Sequence, residues 1–209
     1  MIAIVDYRAG NLGSVQKVLA FIEADSRIVT LPDELAGCDK ILLPGVGNFG
    51  AAMNYLNRSG LTPVIRDWLK ADKPFLGICL GMQMLFEKSA EDRGMDGLAF
   101  FPGQCREFKS GKVPQIGWND IRTIKRSGLL TGLGKKPYFY FLHSFYAAPD
   151  ERSIVSGVTD YGLEFPSIVQ QGRIFGVQFH PEKSGDAGIK LLRNWTRDPR
   201  SIKRSLSRC

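Results

Sequence analysis

The sequence predicts an α/β fold with a mostly parallel sheet, and three observations carry that expectation. Strand signals alternate with amphipathic helix signals from the first residue, the opening residues form a complete strand-helix-strand unit, and an apolar strand turns abruptly into a helix at Cys79. Residues 2–5 read as a buried strand. Asn11 or Ser14 caps a helix whose apolar positions Leu12, Val15, Val18, Leu19 and Ile22 recur at helical spacing, and residues 27–31 return as a second strand. A third strand, 41–43, is stopped by Pro44. Helical stretches follow at 51–57 and 62–70, then a fourth strand at 75–78 and a helix expected from Leu80 to about Lys88. From Gly97 onward turns and short strand-like runs dominate, at 138–142, 165–169 and 173–179, before a last helix from Ala187 to about Thr196. No repeat, low-complexity segment or linker divides the chain, so one domain is expected over residues 1–196.

Composition narrows the function classes. A chain of 209 residues with 44% hydrophobic and 23% charged residues has the make-up of a globular protein and excludes disordered and fibrous architectures. Cys38, Cys79, Cys105 and Cys209 form no C-x-x-C pair and have only His143 and His180 to join them, so neither a disulfide framework nor a metal site is expected. Of the net charge of +7, +4 falls in residues 197–209, a basic tail expected to be disordered, and the body lacks the basic-aromatic patch of a nucleic-acid binder. The opening residues have no leader pattern, and the longest apolar run, residues 75–86, is shorter than the ~18 a membrane span requires. A soluble protein of the reducing cytoplasm, with no nucleic-acid or membrane partner, is the expectation.

The sharpest chemical signal is Gly77-Ile-Cys79-Leu-Gly81 at the strand-to-helix turn, a nucleophile elbow with cysteine at its apex. The glycines let strand and helix pass closely, the turn exposes the thiol, and the Leu80 N–H at the helix start is the natural first donor to an oxyanion. Alone, a buried free cysteine would be the plainer reading. Phe179-His180-Pro-Glu182 changes that. At extended spacing His180 and Glu182 project to one face, so the carboxylate can orient the imidazole that serves the thiol, giving a Cys79, His180, Glu182 triad. Gly45-Val46-Gly47-Asn-Phe-Gly50 matches a dinucleotide fingerprint, but the residues after it read as helix and Asp67 falls inside that helix. Val46 and Gly47 fit better as further oxyanion-hole donors. His143, with Ser144, lies in an aromatic strand and is read as a positioning residue; Gly117-Trp118-Asn119 and the loop ending at Asn11 are read as interface clusters.

Together these motifs resemble the class I, triad-type glutamine amidotransferases. The strings Leu43-Pro-Gly-Val-Gly47, Leu76-Gly-Ile-Cys-Leu-Gly-Met-Gln83, Gly117-Trp-Asn119, His143-Ser144 and Phe179-His-Pro-Glu-Lys-Ser-Gly185 are most similar to the branch that serves imidazole glycerol phosphate synthase. The resemblance covers residues 1 to about 196. It implies a flavodoxin-like three-layer fold, no cofactor, L-glutamine as substrate, and ammonia passed within a heterodimer to a (β/α)8-barrel cyclase subunit of histidine biosynthesis. Gln83, one helical turn after Cys79, is then expected to bind the amino-acid end of glutamine with His143 and Ser144 nearby. Asn11, Trp118, Tyr140 and Lys183 are expected at the partner interface. The sequence departs from the branch at Arg8, where a glycine is usual, and at Gln115, where a histidine is usual. The alternative is a paralogue supplying ammonia to a sugar-amidating enzyme of surface polysaccharide synthesis.

Overall fold

The computed structural model describes residues 1–8 and 11–197, so the expected basic tail, apart from Arg197, lies outside the described residues. The first half follows the alternation read from the sequence: β1 (Ile2–Val5), α1 (Leu12–Phe21), β2 (Ser26–Val29), β3 (Lys40–Leu43), α2 (Phe49–Arg58), α3 (Leu61–Lys70) and β4 (Phe75–Ile78). A short α4 (Leu80–Gln83) comes next, and then strands take over: β5 (Phe86–Ser89), β6 (Asp92–Asp96), β7 (Phe101–Glu107), β8 (Gln115–Asp120) and β9 (Arg122–Thr123). The chain continues through β10 (Tyr138–His143), β11 (Phe145–Pro149), β12 (Val155–Asp160), β13 (Glu164–Gln171) and β14 (Ile174–Val177) to α5 (Gly185–Thr196). Among the described residues no helix is long and apolar enough to cross a membrane.

The central sheet has the order β2-β1-β3-β4-β14-β13-β12-β9. Its first five strands are parallel and the remaining three pairings are antiparallel. Period-two alternation sends the side chains to two cores. Ala3, Val5, Ile41, Leu43 and Phe75 pack with Met53 and Leu56 of α2 and Ile65 and Leu69 of α3. Ile2, Ile4, Leu42, Leu76 and Ile78 face the other way, onto Val15 and Leu19 of α1 and Leu191, Leu192 and Trp195 of α5. The result is three layers. Two smaller sheets, β10-β8 and β11-β7-β5-β6, cap the end where β4 and β14 deliver the site.

One expected element is corrected. The helix foreseen to Lys88 ends at Gln83, and Phe86 and Ser89 pair instead with Phe101 and Cys105 of β7. The run 82–86 is buried throughout, and an unbroken apolar run carries no periodicity to separate helix from strand.

Candidate active site

Cys79 stands between β4 and α4 at φ 52°, ψ −107°, a conformation that a side-chain-bearing residue adopts only when its surroundings impose it. Two glycines show what imposes it. A Cβ at Gly77 would lie 2.5 Å from the carbonyl oxygen of Gly81, and one at Gly81 would lie 1.9 Å from that of Leu43. Helix α4 therefore passes over β3 and β4 too closely for any other residue. Leu80 is the first residue of α4, so its N–H has no acceptor within the helix and stays available beside the thiol.

The neighbouring strand end brings the imidazole. Cys79 N donates to Val177 O at 2.7 Å, which sets the elbow against the exit of β14, and His180 N donates to Tyr140 O at 2.8 Å. Ser184 locks this corner further, its hydroxyl donating to His180 O and accepting from Tyr140 N. His180 Nδ1 lies 2.8 Å from Glu182 Oε1, with the two side chains 1% and 4% exposed. Its Nε2 faces Cys79 and has no other hydrogen-bond partner among the described residues. Burial opposes the charged imidazole, but the adjacent Cys79, and after it Glu182, outweigh burial and raise His180 to about 10.

A cavity of about 240 Å³ opens over the thiol, a size suited to a ligand smaller than the ~300–1,000 Å³ of drug-sized sites. Its lining brings together Cys79, Val46, Gly47, Leu80, Gln83, His143 and Ser144. Gly47 has φ 108°, open in practice only to glycine. His180 is not among the residues that line the cavity. Gln83 is buried and already engaged, its Nε2 donating to Phe145 O at 2.8 Å and to Gln178 Oε1 at 3.3 Å. His143 Nδ1 also meets Phe145 O, at 2.8 Å, and its Nε2 lies 3.0 Å from Gln115 Oε1. The Phe145 carbonyl can only accept, so Nδ1 carries the proton; a neutral ring then accepts at Nε2, which assigns the Gln115 amide the opposite orientation, with NH₂ in the place of Oε1. Burial first, and then the nearby His180, hold His143 down at about 4, so it is neutral.

The residues expected at an interface fall outside the cavity. Trp118, 56% exposed, meets the Tyr140 ring edge-on at 6.2 Å, and Lys183 Nζ lies over that ring at 5.8 Å. Asn11 caps α1 by accepting from Ser14 N, and α1 abuts the turn Pro181–Lys183. Arg8 holds φ 63°, which explains why glycine is usual there; Asp6 Oδ1 accepts from its N–H at 2.6 Å.

Three residues at the site were missed in the sequence. Glu91 lines the cavity and accepts from Phe49 N at 2.8 Å, at the start of α2. Gln178 donates to Cys79 Sγ at 3.6 Å. Tyr7 buries its hydroxyl near Val46 and Cys79, and burial pushes its phenol up. Gln178, Glu91 and Tyr7 had no signal beyond their chemistry, and Glu182 meets His180 from the one-turn 3₁₀ helix Pro181–Lys183 rather than by the extended spacing expected from the sequence.

Comparison with known proteins agrees with this geometry. The family model "Glutamine amidotransferase class-I" matches residues 3–198. The imidazole glycerol phosphate synthase subunit HisH of Methanocaldococcus jannaschii is 48% identical over 197 residues, covering 93% of this chain and 98% of that protein. The HisH subunit of Bacillus cereus is 45% identical, with 93% of each covered. Among solved structures, a glutamine amidotransferase superposes with a TM-score of 0.75 at 17% identity, covering 93% of this chain and 99% of that one, and PurLQS from Thermotoga maritima with 0.72 at 21%, covering 93% and 96%. At such identities these two attest the fold. With an elbow cysteine, a buried histidine-carboxylate pair and a family model spanning nearly all of it, the chain belongs to the class-I glutamine amidotransferases.

Proposed function

We propose that the chain is the glutaminase subunit of an imidazole glycerol phosphate synthase, hydrolysing L-glutamine to glutamate and ammonia for histidine biosynthesis. The observation that carries the chemistry is the buried Glu182–His180 pair beside an elbow cysteine at the floor of a small cavity. The two HisH subunits similar along nearly the full chain carry the pathway.

In this reading the Cys79 thiolate attacks the side-chain carbonyl carbon of glutamine, and the carbonyl π electrons move to oxygen. Leu80 N–H, with Val46 or Gly47 N–H, receives that oxyanion. His180, kept charged by its neighbours, gives its proton to the departing nitrogen as the C–N bond breaks, leaving a thioester and ammonia. The now neutral His180 takes a proton from water, hydroxide attacks the thioester, and glutamate leaves as the thiolate and imidazolium return. Glu182 holds the imidazole by Nδ1 through both steps. Glu91 supplies a carboxylate for the substrate ammonium, since only one of its oxygens is engaged with Phe49 N. Gln83 Oε1 and Ser144 are left to meet the remaining polar atoms of the amino-acid end, and His143, neutral and held on both sides, shapes the wall.

Ammonia released here is useful only if a second subunit covers the site. The Trp118–Tyr140–Lys183 cluster, with Asn11, is the surface for that (β/α)8-barrel partner, because exposed aromatic and long cationic side chains are the usual anchors of interfaces. Complementation tests the reading. A strain lacking its own histidine-pathway glutaminase, given this chain with its cognate barrel subunit, is expected to grow without histidine. Failure with both proteins soluble would point to the sugar-amidating paralogue.

A further inference from the structure

Cys79 has a partner that the triad does not include. Just beyond β14, Gln178 and His180 both approach Cys79, while Glu182, in the turn Pro181–Lys183, holds His180 by Nδ1; Gln178 reaches the sulfur from its own side. Its side chain is completely buried and its Nε2 lies 3.6 Å from Cys79 Sγ. Among the described residues the sulfur's other polar contact beyond His180 is Leu142 O at 3.7 Å, a carbonyl that can accept from a neutral thiol and repels a thiolate. Something must favour the charged sulfur against that carbonyl.

The orientation of the Gln178 amide follows from its neighbours. Phe145 O can only accept, so the Gln83 group facing it at 2.8 Å is the NH₂. That same NH₂ meets Gln178 at 3.3 Å, which makes the facing atom of Gln178 its oxygen. The other end, the NH₂ of Gln178, is thereby turned to the sulfur. Both amides are thus oriented by one backbone carbonyl, Phe145 O.

We propose that Gln178 is a further hydrogen-bond donor to the Cys79 thiolate, aimed by Gln83 and Phe145 O, and that it acts with His180 to keep the nucleophile charged and pointed at the substrate carbonyl. The donor costs no reorganisation during turnover because it is fixed before glutamine arrives. It also assigns Gln83 a second duty, since its NH₂ holds Gln178 while its oxygen faces the cavity. Among the described residues, Tyr7, after β1, and Cys105, on β7, couple to the sulfur, and burial pushes both up and leaves them neutral; His143, on the same cavity wall, is held neutral as well. Glu91 lies farther out on the cavity wall. The inference rests on Cys79 being the nucleophile.

Alkylation by iodoacetamide across a pH series, followed as the mass of the Cys79 peptide in the full chain, tests it. A hydrogen bond to a charged group is worth enough that its loss moves a titration by about one unit. Gln178→Met is therefore expected to move the onset of Cys79 alkylation up by about one pH unit and to lower kcat roughly tenfold with KM for glutamine nearly unchanged. Gln178→Glu, which places a carboxylate against the sulfur, is expected to move it further in the same direction. An unchanged onset in folded Gln178→Met overturns the proposal. Should that variant fail to fold, Gln83→Met, which frees the Gln178 amide to turn, is expected to give a smaller upward shift, and no shift there overturns the proposal equally. Glutamine protection of Cys79 in the unaltered chain is read in parallel: its absence defeats the nucleophile assignment, whereas protection with no effect of either variant defeats only the role of Gln178.

Discussion

The two histidines of the chain occupy similar places and opposite electrostatic worlds. Each is buried near the end of a strand, His143 on β10 and His180 just beyond β14, and the backbone pairing of His180 N with Tyr140 O makes those segments neighbours. His180 stands between the sulfur of Cys79 and the carboxylate of Glu182 and is raised to about 10. His143 stands between the carbonyl of Phe145 and the amide of Gln115, neither charged, and burial takes it down to about 4. Burial alone therefore does not decide the protonation of a histidine; the charge of its two partners does. The same contrast separates a group that can exchange a proton with substrate from one that can only hold a shape.

Replacing the anion beside His180 should erase most of the contrast and have the largest effect. Glu182→Gln removes the carboxylate on Nδ1, so turnover is expected to fall by on the order of 10²–10⁴-fold while KM for glutamine stays within a few-fold. The basic limb of the kcat profile should also move to lower pH, because His180 then loses its proton more easily. Steady-state kinetics from pH 6 to 10 check both; an unchanged profile would make Glu182 irrelevant to the imidazole.

The second test is smaller and acts on stability. His143 is depressed, so the unfolded chain takes up a proton near pH 6.5 that the folded chain refuses until about 4. Its contribution is complete above the unfolded value and is lost as pH falls between the two, costing about 2 kcal/mol between pH 7 and 5. The His180 contribution has the opposite sense, complete below about 6.5 and lost as pH rises toward 10. Urea unfolding of His143→Gln at pH 7 and 5 should therefore show a pH loss smaller by about 2 kcal/mol than that of the unaltered chain. An equal loss in both would place the acid sensitivity elsewhere.

Legibility in the sequence followed a physical line. The parallel half was readable because residues 2–5, 41–43 and 75–78 are short apolar runs bounded by Pro and polar residues, and because α1 repeats its apolar positions at helical spacing. The elbow was readable because close passage of backbone leaves glycine as the only choice at Gly77 and Gly81. The four-stranded capping sheet β11-β7-β5-β6 was not. Phe86 is buried on the same apolar run as Met82, and pairing with β7, a contact across the sequence, decides that it leaves the helix. Gln178 was the other loss, an ordinary-looking amide until the fold sets it between Gln83 and Cys79. Arg8 shows the converse, a side chain accepted at a glycine conformation because Asp6 secures its amide.

The measurement that bears most directly on the account is covalent trapping. A glutamine-derived electrophile, such as a diazoketone or chloroketone that mimics its side-chain amide, should modify this chain once, on the peptide bearing Cys79. Free glutamine should suppress the reaction, Cys38 and Cys105 should remain unlabelled, and Cys79→Ala should neither label nor hydrolyse glutamine. Labelling at another cysteine, labelling indifferent to glutamine, or glutaminase activity surviving in Cys79→Ala would contradict it.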